Sequence, residues 1–200
     1  MVRGKNEIDL ALAKSLRELG QKMPIEKITI KDITDGAGVI RPTFYHHFQD
    51  KYALLEYIIK TDLLEPMLPL LSNRMTYEAM ILLFTNLKKE KQFYTRLAKM
   101  EGPITFSDVA VKCVREVLYE LVKELYQEKD SSLPSESEQS LQKHAWMTPE
   151  IVAGFYAQTM TFTCIEWIRR DMFLSPREMA DAYQYMITHS LLDTFEEAGM

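Results

Sequence analysis

The sequence predicts an all-α protein in which a helix-turn-helix unit of three helices precedes a larger helical bundle. Apolar residues recur at intervals of three and four along most of the 200 residues, which is the spacing of amphipathic helices. Several predicted helix starts carry a Ser, Thr or Asp cap. A glycine turn at Ala37-Gly38-Val39 separates two short helices, as a helix-turn-helix requires.

Composition limits the classes of protein to which this chain can belong. Hydrophobic residues make up 46% and charged residues 26%, which is typical of a globular protein with one domain or two small ones. Cys113 and Cys164 are far apart in the sequence and suggest neither a disulfide framework nor a zinc site. Because the N-terminus lacks an apolar leader and no run of 18 apolar residues occurs, we expect a cytoplasmic protein with no membrane partner.

Local signals define the first helices in order. Leu12 and Leu16 share one face of a first helix, which Pro24 bounds. Thr29, with Asp32 three residues later, marks the start of the second helix as a capping box. The glycine turn ends this helix and leads into the third.

The third helix is predicted to have two different faces. Pro42 falls in its first turn, where a missing N–H costs nothing. Phe44 and Phe48 are four residues apart and would pack the helix against the second one. The opposite face carries polar side chains whose donors suit base edges and phosphates. This arrangement is typical of a helix that enters the major groove of DNA.

We expect eight residues of this unit to contact DNA, some at bases or phosphates and the others at the phosphate backbone. They are Thr29, Lys31, Arg41, Pro42, Thr43, Tyr45, His46 and Lys51. For His47 a solvated position is an equal alternative. No metal site is expected here, because adjacent histidines on a helix point about 100° apart and cannot chelate one ion.

Residues 8–64 resemble the DNA-binding domain of TetR-type (TetR/AcrR) transcriptional regulators. The matching residues are Ile28-Thr29-Ile30, Asp32-Ile33, Ala37-Gly38-Val39, Thr43-Phe44-Tyr45-His46-His47-Phe48, Asp50-Lys51 and Leu54-Leu55. The resemblance implies an all-helical homodimer with a small DNA-reading domain and a larger domain that senses a ligand or partner. Two residues depart from the family pattern. Ile40 replaces the usual Ser or Thr, so the third helix loses a hydroxyl cap, and Thr34 replaces a small alanine.

The charge distribution agrees with a division into two domains. We expect residues 1–50 to form the DNA-binding domain and residues 51–200, starting with a connecting helix at about residue 51, to form the sensing and dimerisation domain. Residues 1–51 hold nine Lys and Arg against seven Asp and Glu, a net charge of +2. The other residues hold 15 against 22, a net charge of −7. The basic excess therefore lies with the motif.

The middle of the chain is also predicted to be helical. The connecting helix starts at Asp50 and runs to about residue 64 or 71, where Pro66 and Pro69 bend or end it. Shorter helices are predicted at 76–89 and 92–99. A longer helix, capped by Ser107, runs to about residue 129. Residues 131–142 are polar and of low complexity, which is typical of a flexible loop.

The last two helices indicate a homodimer. One starts at Thr148-Pro149 and is apolar or small nearly all round between residues 151 and 168, and the other starts at the capping box of Ser175 and Glu178. Two such helices from each subunit would form a four-helix interface with two-fold symmetry. The expected interface residues are Phe155, Phe162, Ile165, Met179, Tyr183, Met186, Ile187 and Leu191. The alternative is a central helix buried within a monomer.

Twelve methionines and ten tyrosines suggest adaptable packing around a ligand cavity in the bundle. The candidate lining residues are Met67, Phe84, Tyr94, Phe106, Cys113, Tyr119, Phe155 and Thr159. For each of these residues, the alternative to lining a cavity is ordinary packing in the hydrophobic core. The stretch from Phe155-Tyr156 to Glu178-Met179 also resembles the branch of the family that includes dihydroxyacetone kinase regulators. That resemblance implies a partner protein as the input and activation as the output.

The sequence therefore predicts a dimeric transcription factor that binds a double-stranded DNA operator. Its effector would be a small molecule or a co-regulator protein, and no cofactor is expected. A helical adaptor that uses the same motif against another protein is the alternative. The sequence shows no Ser-His-Asp order, phosphate-binding glycine loop or paired carboxylates that would indicate an enzyme.

Overall fold

The computed structural model describes residues 7–129 and 146–189, and every regular element in these two ranges is helical. This confirms the predicted all-α class. The loop predicted at residues 131–142 lies outside the described residues. Within the described ranges, no helix combines the length and the apolar character that crossing a bilayer requires.

The N-terminal unit consists of three helices, and a 3-10 turn at Ile25–Lys27 follows the first of them. They are α1 (Glu7–Gly20), α2 (Ile30–Ala37) and α3 (Arg41–His47). The predicted capping box is present: Thr29 Oγ1 accepts the Asp32 N–H at 3.2 Å, and the Asp32 carboxylate accepts the Thr29 N–H at 2.9 Å. Gly38 has a φ of 68°, so the chain turns from α2 towards α3 at a residue without a side chain.

The connecting helix continues past its prolines and changes its hydrogen bonding where they occur. It begins at α4 (Lys51–Ile59) and continues through a π-helical segment (Lys60–Leu64), a 3-10 turn (Glu65–Met67) and α5 (Leu68–Ser72). We call residues 51–72 the connecting rod. Pro66 has no N–H for the Asp62 carbonyl four residues before it, and the Asn86 side chain donates to that carbonyl at 3.0 Å. A side chain of a neighbouring helix therefore donates to the carbonyl oxygen that lacks a backbone N–H partner because of the proline.

Five helices complete the described part of the chain. They are α6 (Thr76–Lys89), α7 (Lys91–Leu97), α8 (Phe106–Lys129), α9 (Pro149–Arg169) and α10 (Pro176–Thr188). Among the described helices, α8 packs most extensively on α9, and α10 packs on α6. The cap predicted at Ser107 is wrong, because Thr105 Oγ1 accepts the Asp108 N–H at 3.2 Å and the Asp108 carboxylate accepts the Thr105 N–H at 2.8 Å. This capping box starts α8 one residue before Ser107.

One apolar core extends from α1 through the described part of α10 and joins the N-terminal unit to the C-terminal helices. At the junction, Gly20 at the end of α1 meets Phe93 of α7. A Cβ atom on Gly20 would lie 2.8 Å from the fully buried ring of Phe93. Arg17 of α1 forms a half-buried ion pair with Asp62 of the connecting rod. The two parts of the molecule therefore share both apolar and charged contacts.

Gly20→Ala should lower the free energy of unfolding by about 1–3 kcal/mol, because the added methyl group would lie 2.8 Å from the buried Phe93 ring and would force the packing there to shift. Urea unfolding at a fixed protein concentration measures this. Gly154→Ala is the matched control, since a Cβ there meets nothing within 4 Å. It should leave stability unchanged or raise it by up to about 1 kcal/mol. Equal losses in the two variants would contradict the close approach at Gly20.

Candidate nucleic-acid interface

The helix α3 has one buried side and one exposed side. Phe44 is fully buried and Phe48 is 8% exposed, so both aromatic rings belong to the core. The other side faces solvent, and Tyr45 there is 52% exposed. Arg41, Pro42 and His46 are also exposed, and Thr43 is half-buried. The helix therefore leaves uncovered the side that carries five of the eight predicted contact residues.

The exposed side of α3 combines hydrogen-bond donors with one apolar residue. The Arg41 Nη2 atom lies 3.5 Å from the Tyr45 hydroxyl, so the two side chains lean along the same surface. The sequence of α3 contains no acidic residue. Ile40 precedes the helix, is 68% exposed and makes no side-chain cap bond. A guanidinium, a hydroxyl and an imidazole on one bare surface suit both phosphate oxygens and base edges.

Thr29 and Lys31, at the start of α2, are predicted to contact the phosphate backbone of DNA. In the structure both side chains already bond to other groups of the protein. Lys31 Nζ lies 2.5 Å from Asp35 Oδ2, and both side chains are exposed. This hydrogen bond raises the pKa of Lys31. Because an exposed pair of this kind is weak, a phosphate can replace the Asp35 carboxylate. The Thr29 hydroxyl is occupied by the capping box, so the role that it has in this structure is to start α2.

Lys51 is predicted to contact a DNA phosphate, but in the structure its ammonium group bonds to backbone carbonyl oxygens of the protein. Its Nζ atom donates to the carbonyl oxygens of Ile25, Glu26 and Ile28 at 2.8, 2.9 and 2.9 Å. Burial lowers the pKa of Lys51, although Glu26 and Asp50 oppose this shift. The ammonium group has three N–H donors, and all three are used. Lys51 therefore ties the start of the connecting rod to the turn after α1 and has no donor left for a phosphate.

Sequence reasoning missed the partner of His47. The His47 Nδ1 atom lies 2.7 Å from Asp9 Oδ1 of α1, and both side chains are buried, which excludes the solvated position considered for His47. An ionised carboxylate can only accept a hydrogen bond, so with Asp9 in that form the Nδ1–H group of His47 is the donor. One feature of the sequence indicates that Asp9 is buried and needs a partner. Asp9 precedes Leu12 and Leu16 by three and seven residues, so it lies on the apolar side of α1. The bond holds the C-terminal end of α3 against α1.

The predicted ligand-pocket residues do not surround one cavity. An apolar cavity of about 50 Å³ lies between the connecting rod, α6, α8 and α9, and Phe106 is the one predicted residue that lines it. The others are buried in the core away from this cavity (Met67, Phe84, Tyr94, Cys113), half-buried (Tyr119) or exposed on α9 (Phe155, Thr159). Burial raises the pKa of the Tyr94 hydroxyl and raises that of the Cys113 thiol to about 12.

The predicted dimer residues separate into two groups. Phe155, Phe162, Met186 and Ile187 are exposed, and the two phenylalanines are 66% and 68% exposed. Ile165, Met179 and Tyr183 instead pack inside the core of the same chain. Leu191 lies outside the described residues. The sequence shows that α9 is apolar nearly all round, but only the packing of α9 on α8 decides which side stays uncovered.

The adjacent histidines should respond in opposite ways to replacement by phenylalanine. His47→Phe leaves the Asp9 carboxylate buried without its partner, so the free energy of unfolding should fall by about 1–3 kcal/mol. His46→Phe is the matched control, because His46 is exposed and its loss should leave stability unchanged. Urea unfolding of the two variants measures both effects. A His47→Phe protein as stable as the unmodified protein would contradict the structural role of the bond.

Family models match most of the chain. The model described as bacterial regulatory proteins, tetR family, matches residues 12–58. The model described as transcriptional regulator C-terminal region matches residues 75–189. A search among curated proteins found no match.

Three solved structures share the fold. The dihydroxyacetone kinase operon activator DhaS is 21% identical, with a TM-score of 0.54 over 90% of this chain and 94% of that one. The fatty acid degradation regulator FadR from Bacillus halodurans is 13% identical, with a TM-score of 0.57 over 94% and 98%. NalD, the secondary repressor of the MexAB-OprM multidrug efflux pump in Pseudomonas aeruginosa, is 19% identical, with a TM-score of 0.53 over 89% and 93%. The solved structures show the fold, and the two matched models, which cover residues 12–58 and 75–189, show that the chain belongs to the tetR family of bacterial transcriptional regulators.

Proposed function

We propose that this protein is a cytoplasmic, dimeric regulator that binds a specific double-stranded DNA operator and changes its affinity in response to a small ligand or a partner protein. The observation that carries the proposal is the bare polar side of α3. Arg41, Tyr45 and His46 stay exposed there although Phe44, between them in sequence, is fully buried. A short helix that is anchored on one side and bare on the other has the form that major-groove readers need.

The proposed contacts follow from the positions of the side chains. Arg41, Thr43, Tyr45 and His46 would approach bases or phosphates, and Pro42 would contact the sugar–phosphate surface. Lys31 would exchange Asp35 for a phosphate. Lys51 and the Thr29 hydroxyl act indirectly, because their polar atoms hold the connecting rod and α2 in place.

The uncovered apolar side of α9 supports a homodimer. Phe155 and Phe162 are seven residues apart, so they lie on one side of the helix. Met186 and Ile187 near the end of α10 add to the uncovered apolar surface. Contact with a second copy would remove these side chains from water and would form a four-helix interface. Two recognition helices could then enter successive major grooves about 34–36 Å apart.

The connecting rod supports a regulatory input at the C-terminal helices. Its first residue, Lys51, holds the turn before α2, and its Asp62 pairs with Arg17 of α1. A ligand or partner that moves the rod would therefore also move the N-terminal unit of α1, α2 and α3. The C-terminal resemblance to dihydroxyacetone kinase regulators stays a prediction, because a likeness at 21% identity shows the fold alone.

Operator binding is tested by selecting DNA sequences from a random pool and measuring their affinity by fluorescence anisotropy at two salt concentrations. Affinity should fall steeply as salt rises, since phosphate contacts release counterions. Arg41→Gln should make the slope of log K against log salt less steep by about one per subunit. The control Arg115→Gln, an exposed arginine of α8, should not change the slope.

Tyr45→Phe should weaken binding to all selected sites equally if its hydroxyl holds a phosphate. A change in discrimination among sites would contradict that role.

The same experiment separates the regulator from the helical adaptor. An adaptor uses the exposed side of α3 against a protein, so it would enrich no sequence from the pool. Any weak DNA affinity would then be the same for selected and random duplexes. That outcome would overturn the proposed function.

Phe162→Glu should convert the protein to a monomer, because it places a charge at the centre of the proposed interface. Sedimentation equilibrium should then give a mass near 23.3 kDa instead of about twice that value. Phe173→Glu is the matched control, since Phe173 is 65% exposed but lies in the turn between α9 and α10. If the Phe162→Glu protein remained a dimer, the interface would lie elsewhere. If the unmodified protein were a monomer, the proposed dimer would be excluded.

A further inference from the structure

Ile40, the residue immediately before α3, has its aliphatic side chain on the outside of the molecule. It is 68% exposed, a fraction that only Phe162 equals among the large hydrophobic residues of the two described ranges. Phe44, four residues later, is fully buried, so a helical backbone at Ile40 would place both side chains on the same side. The backbone of Ile40 is instead extended, with φ −91° and ψ 155°. The side chain therefore lies in solvent and not in the core.

The start of α3 does not need a hydroxyl group at position 40. The side chain of a capping residue accepts the N–H of the second or third residue of its helix. The second residue of α3 is Pro42, which has no N–H. The third is Thr43, whose N–H donates to the Ile40 carbonyl oxygen at 3.0 Å. Because neither residue has a free N–H for a cap, an apolar side chain can occupy position 40.

Ile40 borders the surface that the proposed function places against DNA. Arg41 follows it directly, is exposed, and has its Nη2 atom 3.5 Å from the Tyr45 hydroxyl. The residues at the beginning of a recognition helix are those that contact base edges in the major groove. An isoleucine side chain has no hydrogen-bonding group, so it can bind neither a phosphate oxygen nor a polar base edge. Its contribution to DNA binding must come from apolar contact.

We propose that Ile40 determines operator specificity by packing against the 5-methyl group of a thymine in the major groove. Among the four DNA bases, thymine alone presents a methyl group in this groove, and apolar side chains recognise it by contact. The contact would remove both apolar groups from water. This inference rests on the proposed function, because it requires an operator that is bound by α3.

The contact is tested with the full chain and the operator selected from the random pool. Each thymine in turn is replaced by deoxyuridine, which lacks only the 5-methyl group, and the affinity is measured by fluorescence anisotropy. We expect a thymine at which this replacement weakens binding by about fourfold, the change that corresponds to about 0.8 kcal/mol for one buried aliphatic carbon.

Ile40→Ala should bind the thymine operator less tightly and should abolish the difference between thymine and deoxyuridine at that position, because the two changes remove the same contact. Thymines that contact other residues, such as Pro42, should keep their sensitivity. Ile104→Ala is the matched control, since Ile104 is also exposed but precedes α8. It should bind the two operators as the unmodified protein does. Equal methyl sensitivity at every thymine in Ile40→Ala and the unmodified protein would overturn the inference.

Ile40→Ser separates the apolar contact from the start of the helix. It supplies a hydroxyl group and removes the aliphatic side chain, so it should lose the same methyl sensitivity as Ile40→Ala. The urea midpoint of unfolding should stay unchanged or rise, which shows that the loss does not come from a less stable fold. Equally tighter binding of Ile40→Ser to the thymine and deoxyuridine operators would assign position 40 to the phosphate backbone and overturn the inference.

Failure of this inference is distinguishable from failure of the proposed function. If the unmodified protein selected an operator but no thymine in it were sensitive to deoxyuridine, the role of Ile40 would be overturned and the regulator would stand. If the pool yielded no operator, the proposed function would be overturned, and the role of Ile40 with it.

Discussion

The orientation of α3 depends on the contacts of its buried side. A helix of seven residues is too short to be stable in water by itself, so tertiary packing must hold it. Phe44 enters the core, and the His47 imidazole bonds the buried Asp9 carboxylate of α1 at 2.7 Å. Gly38, with its positive φ, sets the direction in which the chain enters the helix. Because these anchors hold one side, the other can remain bare without the helix losing its position.

The same dependence on anchoring continues along the connecting rod. Lys51 donates all three of its N–H groups to backbone carbonyl oxygens of the turn before α2, and Asp62 forms an ion pair with Arg17 of α1. Asp62 lies in a π-helical segment, a geometry that departs from the α-helix and recurs at functional positions. The rod therefore contacts the N-terminal unit through Lys51, through Asp62 and through the ring of Tyr57, which lies 5.5 Å from that of Phe48.

The apolar sequence of α9 meets two different requirements. One side packs against α8 and contributes Ile165 and Ile168 to the core, whereas Phe155 and Phe162 on another side stay exposed. Thr161 adds a buried hydroxyl without a partner among the described residues, which an ordinary core position would avoid. A single helix thus borders the core, the cavity and the uncovered apolar surface. The alternative of a central helix buried within a monomer does not describe it, because Phe155 and Phe162 are mostly exposed.

The sequence by itself determined the features that depend on residues within about four positions of one another. These are the capping boxes at Thr29 and Ser175, the Gly38 turn and the two-sided pattern of α3. Even at this range one predicted cap, Ser107, is wrong, although Thr105 and Asp108 have the spacing of a capping box. Only the tertiary structure decided the partners of His47 and Lys51, the lining of the cavity and the side of α9 that remains uncovered. Such contacts join residues tens of positions apart, and they arise from how whole helices pack, which local periodicity does not encode.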